Sequence, residues 1–278
     1  MQRTNLLRGS NARAYMNYLK KIGVPFEMFI SNYQVHFKTE LFDKKFVHSM
    51  QGNRVFACYA KIKKDVKTKP IPDINREQLS YFVHDFKADR YVGDVINIDL
   101  KSAYATILYR DGYITRDTFD YISKGTKQDR LVSVGMLASR KQHFKFDGGK
   151  IVFNDEIISE FSNFFFYAVK RTSEIMADLK TICGSRYLFT WVDGIYMLPD
   201  PDTVKQCEDY VEQCGFKYTT EQLREFEVKI EQKQVRVHFL KLSKGEWKPK
   251  PFTLPLVNSE FKRLMIEAIL SKHKTKSK

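Results

Sequence analysis

The chain has 278 residues, of which 43% are hydrophobic and 14% aromatic, and this composition predicts a folded protein rather than a disordered one. Its 47 lysines and arginines against 33 acidic residues give a formal net charge of +14, which favours a polyanionic partner, nucleic acid ahead of a membrane surface. No apolar run reaches the length that spans a bilayer. A basic surface that only keeps the protein in solution is the alternative.

The cysteines and the first residues bear on the cellular compartment. The four cysteines form no Cys-x-x-Cys pair and do not cluster with the six histidines, so we expect reduced, buried thiols rather than a zinc site or disulfides. The opening Met-Gln-Arg-Thr-Asn lacks the apolar core of a signal peptide. We therefore expect a cytoplasmic protein.

Hydrophobic periodicity predicts the elements that precede residue 95. A basic amphipathic helix is predicted over residues 5–22, and Gly23 and Pro25 end it. Alternation of side chains predicts a strand over residues 54–62, and a further helix is predicted over residues 75–87.

The most informative stretch is residues 95–108. A β-branched, apolar run leads to Asp99, and Ser102 is a suitable N-cap for a helix that begins at Ala103. A carboxylate at the end of a buried strand needs a cation or a hydrogen-bond donor beside it, and a hard cation such as Mg²⁺ is one such partner. An ordinary strand end is the alternative, because aspartates end many structural strands.

A second stretch, residues 187–198, contains two apolar strands that meet at Asp193-Gly194, a dipeptide that favours a tight hairpin turn. A hairpin tip holds its residues with little backbone freedom, which suits Asp193 as a metal ligand. An ordinary Asp-Gly turn is the alternative, and Asp147-Gly148 predicts a second turn of this kind.

The remaining elements are predicted around these two stretches. A helix over residues 127–141 directs Lys127, Arg130 and Lys141 towards solvent or phosphate, a solvated basic face being the alternative. The others are a short helical piece over 110–125, a hairpin over 143–154, a long helix over 155–183, a helix over 203–215, paired strands over 225–231 and 234–242, and a last helix over 257–270 before a basic tail.

Taken in order, three of these segments resemble the palm of family B DNA polymerases. The first motif of that family is Asp-x-x-Ser-Leu-Tyr, which Asp99, Ser102 and Tyr104 match, while Ala103 replaces the leucine.

The second motif is a helix with a lysine followed by Asn-Ser-x-Tyr-Gly. Lys127, Ser133 and Gly135 fall at matching offsets. Leu131 and Val134 replace the asparagine and the tyrosine.

The third motif is Asp-Thr-Asp-Ser in a hairpin, and Asp193 matches its second aspartate. Trp191 stands in the place of the first aspartate and Gly194 in the place of the serine. The resemblance covers residues 95–198, with a weaker continuation through residues 226–242.

For the fold, the resemblance implies an α+β protein with a polymerase palm-like mixed or antiparallel sheet, packed helices, and reduced fingers and thumb. It divides the chain into an N-terminal helical and strand region (1–94), a palm-like catalytic core (95–242) with a small fingers helix at about 112–141, and a thumb-like remnant with a basic tail (243–278). The N-terminal region is too short for the family's exonuclease. The chain therefore looks like a minimal, divergent type from a phage or mobile element, which places it in the host cytoplasm.

For the function, the resemblance implies a DNA polymerase that transfers dNTPs onto a primer 3′-hydroxyl with two Mg²⁺ or Mn²⁺ ions. Asp99 and Asp193 are the implied catalytic residues, and together with the backbone carbonyl of Leu100 they are the implied metal ligands. Because Trp191 stands in the place of the first aspartate of the third motif, the resemblance does not imply full catalytic activity.

The resemblance also implies a dNTP site. Lys127 and Arg130 would neutralise the phosphates, Tyr104 would lie beneath the sugar as a gate against a 2′-hydroxyl, and Ser102 belongs to the same site.

The implied partners are primer–template DNA, dNTPs and a further replication protein, and no membrane. Lys241, Lys244 and Lys248 are predicted to contact the DNA backbone, a solvated basic loop being the alternative. Glu227 and Glu231 are interpreted first as surface charges on a strand, the alternative being that one of them, Glu227 ahead of Glu231, approaches one metal.

Two other functions remain open. The first is a catalytically weakened palm that serves as a nucleic-acid-binding subunit, in which Trp191 and Gly194 are marks of decay. The second is a primase or a template-independent nucleotidyltransferase, which would need no annealed primer or no template strand.

Overall fold

The structure is a computed structural model, and it describes residues 11–31, 33–47, 52–75, 90–231, 234–243, 245–249 and 252–255. These residues form an α+β fold with seven α-helices and two antiparallel sheets. The helices are α1 (Asn11–Lys21), α2 (Asn53–Val66), α3 (Ala103–Arg110), α4 (Arg116–Ser123), α5 (Lys127–Gly135), α6 (Ser162–Cys183) and α7 (Pro201–Gln213). The strands are β1 (Phe26–Ile30), β2 (Gln34–Lys38), β3 (Asp43–Val47), β4 (Arg90–Leu100), β5 (Arg140–Asp147), β6 (Lys150–Ile158), β7 (Tyr187–Trp191), β8 (Gly194–Met197), β9 (Tyr218–Glu231), β10 (Gln234–Ser243), β11 (Glu246–Pro249) and β12 (Phe252–Pro255).

The chain divides into two compact units. The first unit comprises Met1–Ile74 and Tyr113–Phe166, and the second comprises Asn75–Gly112 and Tyr167–Lys278. The division by function into residues 1–94, 95–242 and 243–278 stays a prediction.

The first unit contains a five-stranded sheet in the order β3-β2-β1-β5-β6. Alternate side chains of β1 are buried, and Leu19 of α1 lies in the same apolar core as Met28 and Phe37. Gly148 and Gly149, with φ of 55° and 85°, form the two-residue loop between β5 and β6, a conformation that glycine adopts without strain.

The second unit contains a seven-stranded sheet in the order β11-β10-β9-β4-β8-β7, with β12 paired to β10. β4 lies inside this sheet, between β9 and β8, and its Ile98 and Leu100 are buried. α7 begins at Pro201, after the N-cap Asp200, whose carboxylate accepts a hydrogen bond from the Thr203 amide at 3.1 Å.

Most elements expected from the sequence are present. The α+β fold class is confirmed, as are the helix before Gly23 over its described part, both hairpins and the strand that leads to Asp99. The paired strands predicted over residues 225–231 and 234–242 are also present, although the first of them begins earlier, at Tyr218. Cys58, Cys183 and Cys207 are buried as expected, whereas Cys214 is only partly buried. The helices predicted over residues 75–87 and 257–270 lie outside the described residues, apart from residue 75.

Three expectations about local structure are wrong. Residues 54–62 lie in α2 rather than in a strand, because the buried side chains Val55, Cys58, Ile62 and Val66 recur at helical spacing. The long helix begins at Ser162 rather than near residue 155, because β6 continues to residue 158 in register with β5. The helix after residue 127 ends at residue 135, and β5 already begins at residue 140.

Within the described part of the chain, the helices are too short or too polar to cross a membrane.

Candidate active site

The end of β4 brings Asp99 next to the β7–β8 hairpin. β4 and β8 pair antiparallel with Asp99 opposite Gly194, the residue that follows Asp193. The Leu100 amide donates a hydrogen bond of 2.8 Å to the Asp193 carbonyl oxygen. Two acidic residues far apart in the sequence are therefore held at adjacent strand ends by main-chain hydrogen bonds.

The pKa of the Tyr196 phenol is raised by burial and by the acidic residues around it. Tyr196 is 3% exposed, and burial raises the pKa of its phenol. The negative charges of Asp99, Glu221 and Asp193 raise that pKa further. The phenol is held by ring stacking, with the Phe189 and Phe239 ring centroids at 4.1 and 5.1 Å.

Cross-strand pairing places a row of polar side chains on one face of the sheet. Asn97 on β4 lies opposite Tyr196 on β8 and opposite Glu221 on β9. In the next row, Asp99 lies opposite Gly194 and Thr219. Because directly opposite residues share a face, these side chains belong to one surface.

A buried amide oxygen lies at the centre of this face. Asn97 is 1% exposed, and its Oδ1 has no hydrogen-bond partner among the described residues. A Cβ added to Gly194 would lie 3.2 Å from Asn97 Oδ1 and 3.2 Å from Asp99 Oδ1. The glycine leaves room beside two acceptor oxygens, and such a donor set fits a hard divalent cation.

The backbone has an uncommon conformation, with positive φ, at one residue that follows Asp99 and at one residue that precedes Asp193. Three non-glycine residues of the described chain have positive φ, and two of them, Ser102 (56°) and Val192 (54°), lie close in sequence to Asp99 and Asp193. For a β-branched residue such as Val192 this conformation is strained, and strain of this kind persists only where the surrounding structure imposes it. Ser102 precedes α3 as expected, but its side chain makes no capping hydrogen bond.

Glu221 is an acidic residue that the sequence analysis missed. Lys241 Nζ donates a 2.5 Å hydrogen bond to its Oε1. Glu227, the carboxylate that the sequence analysis names ahead of Glu231, lies opposite Arg90, whereas Asp99 pairs with Thr219 on the same strand. Eight residues of strand separate Glu227 from Asp99 by roughly 25 Å, and Glu231 lies farther along, so this register agrees with the favoured interpretation as a surface charge and not with the metal-ligand alternative.

The described residues contain no group of three or more His, Cys, Asp or Glu side chains that could hold a metal ion. A cation bound here would therefore depend on the carboxylates of Asp99 and Asp193 together with neutral oxygens, such as the Leu100 carbonyl and the Asn97 amide.

The residues predicted to contact dNTP lie in both units. Tyr104 lies in the first turn of α3 and is half-buried. Lys127 is the first residue of α5, whose N-cap Thr126 exchanges hydrogen bonds with Asp129. Arg130 donates to the Gly125 carbonyl oxygen at 2.7 Å.

Two of the lysines predicted to contact DNA, Lys241 and Lys248, lie on neighbouring strands of the second sheet. Lys241 on β10 is directly opposite Lys248 on β11. Lys241 pairs with Glu221, and Lys248 Nζ lies 3.2 Å from Glu246 Oε2. Lys244 lies outside the described residues.

Comparison with known proteins gives matches among solved structures alone. No family model matches the chain, and no curated protein matches it. Among the solved structures that do match is phi29 DNA polymerase complexed with primer-template DNA and incoming nucleotide substrates. The match has 9% sequence identity and a TM-score of 0.45, and it covers 77% of this chain and 62% of that one. A likeness this remote assigns neither a family nor an activity.

Proposed function

We propose that the chain is a metal-dependent DNA polymerase that transfers nucleotides from dNTPs onto the 3′-hydroxyl of a primer. The observation that carries the proposal is the pairing of β4 with β8, because it holds Asp99 opposite Gly194 and hydrogen-bonds Leu100 to Asp193. Two acidic residues at adjacent strand ends, in a chain of net charge +14, suit a polyanionic substrate whose reaction needs divalent cations.

The proposed ligands of two Mg²⁺ or Mn²⁺ ions are Asp99, Asp193 and the Leu100 carbonyl. Divalent cations at such a site lower the pKa of the attacking hydroxyl and neutralise charge on the phosphates. This chain holds the main chain of both aspartates in place, because Asp99 lies in the β4–β8 ladder and the Leu100 amide donates a hydrogen bond to the carbonyl oxygen of Asp193, in the turn before β8.

The other proposed roles concern dNTP and DNA. Lys127 and Arg130 neutralise the phosphates of the dNTP, and Tyr104 excludes a 2′-hydroxyl beside the sugar, with Ser102 in the same site. A second set, the lysines at positions 241, 244 and 248, contacts the phosphates of primer–template DNA, the proposed partner besides a further replication protein.

One observation favours a second function. Trp191 is directly opposite Gly194 and so lies on the same face as Asp99, where an acidic residue would add a ligand. A palm with an indole at this position would bind DNA in a salt-sensitive way without incorporating nucleotides.

Primer extension with Mg²⁺ or Mn²⁺ tests the proposal. We expect Asp99→Asn and Asp193→Asn each to lower the rate by more than about 100-fold, because even outer residues of a metal site typically contribute about 10–100-fold. The matched control is Asp147→Asn, which changes the exposed aspartate beside the Gly148–Gly149 turn and should leave the rate unchanged.

Extension that persists when Asp99 and Asp193 are both replaced would contradict the site. DNA binding without incorporation under either metal would favour the second function. Product formed without a primer, or without a template, would indicate a primase or a template-independent nucleotidyltransferase instead.

A further inference from the structure

We propose that Asn97 is a ligand of the divalent cation at Asp99, to which it contributes a neutral side-chain oxygen. This inference rests on the proposed function, and it assigns to Asn97 a role that the sequence motifs do not contain.

The first observation is the burial of an unused acceptor. Asn97 is 1% exposed, and its Oδ1 lacks a hydrogen-bond partner within the described part of the chain. An acceptor removed from water without a partner is costly, so few such groups persist in folded proteins. Asn97 lies between Ile96 and Ile98 on an interior strand, where an apolar residue would avoid that cost.

The second observation concerns the atoms that lie near this oxygen. Apart from Gly194 and its two chain neighbours, the three nearest atoms to the position of a Cβ on Gly194 are Asn97 Oδ1 at 3.2 Å, Asp99 Oδ1 at 3.2 Å and the Trp191 carbonyl oxygen at 3.5 Å. All three are oxygens, and hard cations such as Mg²⁺ take oxygen ligands from carboxylates, amides and main-chain carbonyls. The donor set beside Gly194 therefore matches the chemistry of the proposed cofactor.

The third observation is the shortage of charged ligands. The described residues hold no group of three acidic, histidine or cysteine side chains around a possible metal position. Glu221, the nearest additional acid by cross-strand pairing, is engaged by Lys241 at 2.5 Å. A neutral amide oxygen adds a ligand to two aspartates without adding charge repulsion, and Mg²⁺ commonly binds through only one or two carboxylates.

The test measures Mn²⁺ binding by electron paramagnetic resonance, with and without dATP. Asn97→Leu preserves the approximate size of the side chain and removes its oxygen. We expect it to weaken Mn²⁺ binding at least tenfold, while Asn97→Asp, which keeps an oxygen at this position, binds Mn²⁺ at least as tightly as the parent chain. Circular dichroism verifies that each variant is folded.

The outcomes separate this inference from the proposed function. Mn²⁺ binding that is absent in the parent chain, or unchanged in Asp99→Asn, would overturn both. Mn²⁺ binding that Asp99→Asn abolishes but Asn97→Leu leaves unchanged would overturn the role of Asn97 alone. If Asn97→Leu fails to fold, the aspartate variant decides, because tenfold weaker binding in Asn97→Asp would contradict an oxygen ligand at this position.

Discussion

At the scale of single residues, the candidate site depends on one position without a side chain. Gly194 lies opposite Asp99, and a Cβ there would press against Asp99 Oδ1 and Asn97 Oδ1 at 3.2 Å. Its φ does not lie in the left-handed region, so the backbone accepts alanine and only the space beside the two oxygens is lost. The glycine is therefore explained by its neighbours and not by the turn.

We predict that Gly194→Ala lowers the primer-extension rate at least about tenfold, because displacing metal-site residues by a few tenths of an ångström perturbs binding as an outer-residue mutation does. The rate is measured at saturating Mg²⁺ and again at limiting Mg²⁺, where the loss should be larger.

The control for this variant is Gly135→Ala. Gly135 is the last residue of α5 and has a helical φ of −59°, and nothing lies within 4 Å of an added Cβ. This change should keep the rate and raise the free energy of unfolding by up to about 1 kcal/mol. A Gly194→Ala variant as active as Gly135→Ala at both Mg²⁺ concentrations would contradict a site beside Gly194.

The sequence identifies some residues of this site and not others for a physical reason. Asp99 and Asp193 stand out because a strand end and a hairpin turn are local patterns. Glu221 has no local signal, since its position opposite Asn97 follows from the register between β4 and β9. Asn97 does carry a signal, because it is a polar side chain between two isoleucines in an apolar strand. That signal becomes informative only when the structure shows that Asn97 is buried.

At the scale of elements, helices and strands are predictable where their signals are local. The Gly148–Gly149 loop and the Asp200–Pro201 helix start are examples. α2 is not, because the window 54–62 alternates in polarity while the side chains that become buried recur over residues 55–66 with helical spacing. The helical period of 3.6 residues can be distinguished from the strand period of two only in a longer window, or once the apolar residues that pack against α2 are known.

The start of α7 gives a prediction about pH. Hydrogen bonds from the Thr203 hydroxyl and amide to Asp200 hold the pKa of this carboxyl below its ordinary value of 3.8. Because the folded pKa is depressed, the stabilisation is fully present above the unfolded pKa and is lost as pH falls through the folded pKa.

Asp200→Asn tests this prediction, because asparagine caps helices as well as aspartate but does not titrate. The free energy of unfolding is measured by urea titration from pH 7 down to pH 2. The parent chain should be more stable than the variant at pH 7, and the difference should shrink below pH 3.8. A difference that stays constant over this range would rule out the charge on Asp200 as its source.

At the scale of the whole molecule, the net charge of +14 and the α+β class are readable from composition and pattern, whereas the assembly of the site is not. The site exists because β4 pairs with both β8 and β9, strands that follow it by about a hundred residues or more in the chain. No local pattern encodes pairings at such separation, since they depend on the register that buries the most apolar surface.

The central claim is that Asp99 and Asp193 share divalent cations, and anomalous diffraction from crystals soaked in Mn²⁺ tests it most directly. We expect an anomalous peak within about 2.0–2.6 Å of carboxylate oxygens from both residues, the range of oxygen ligands to hard divalent cations. Mn²⁺ bound elsewhere, or the two carboxylates directed away from each other with no peak between them, would contradict the claim.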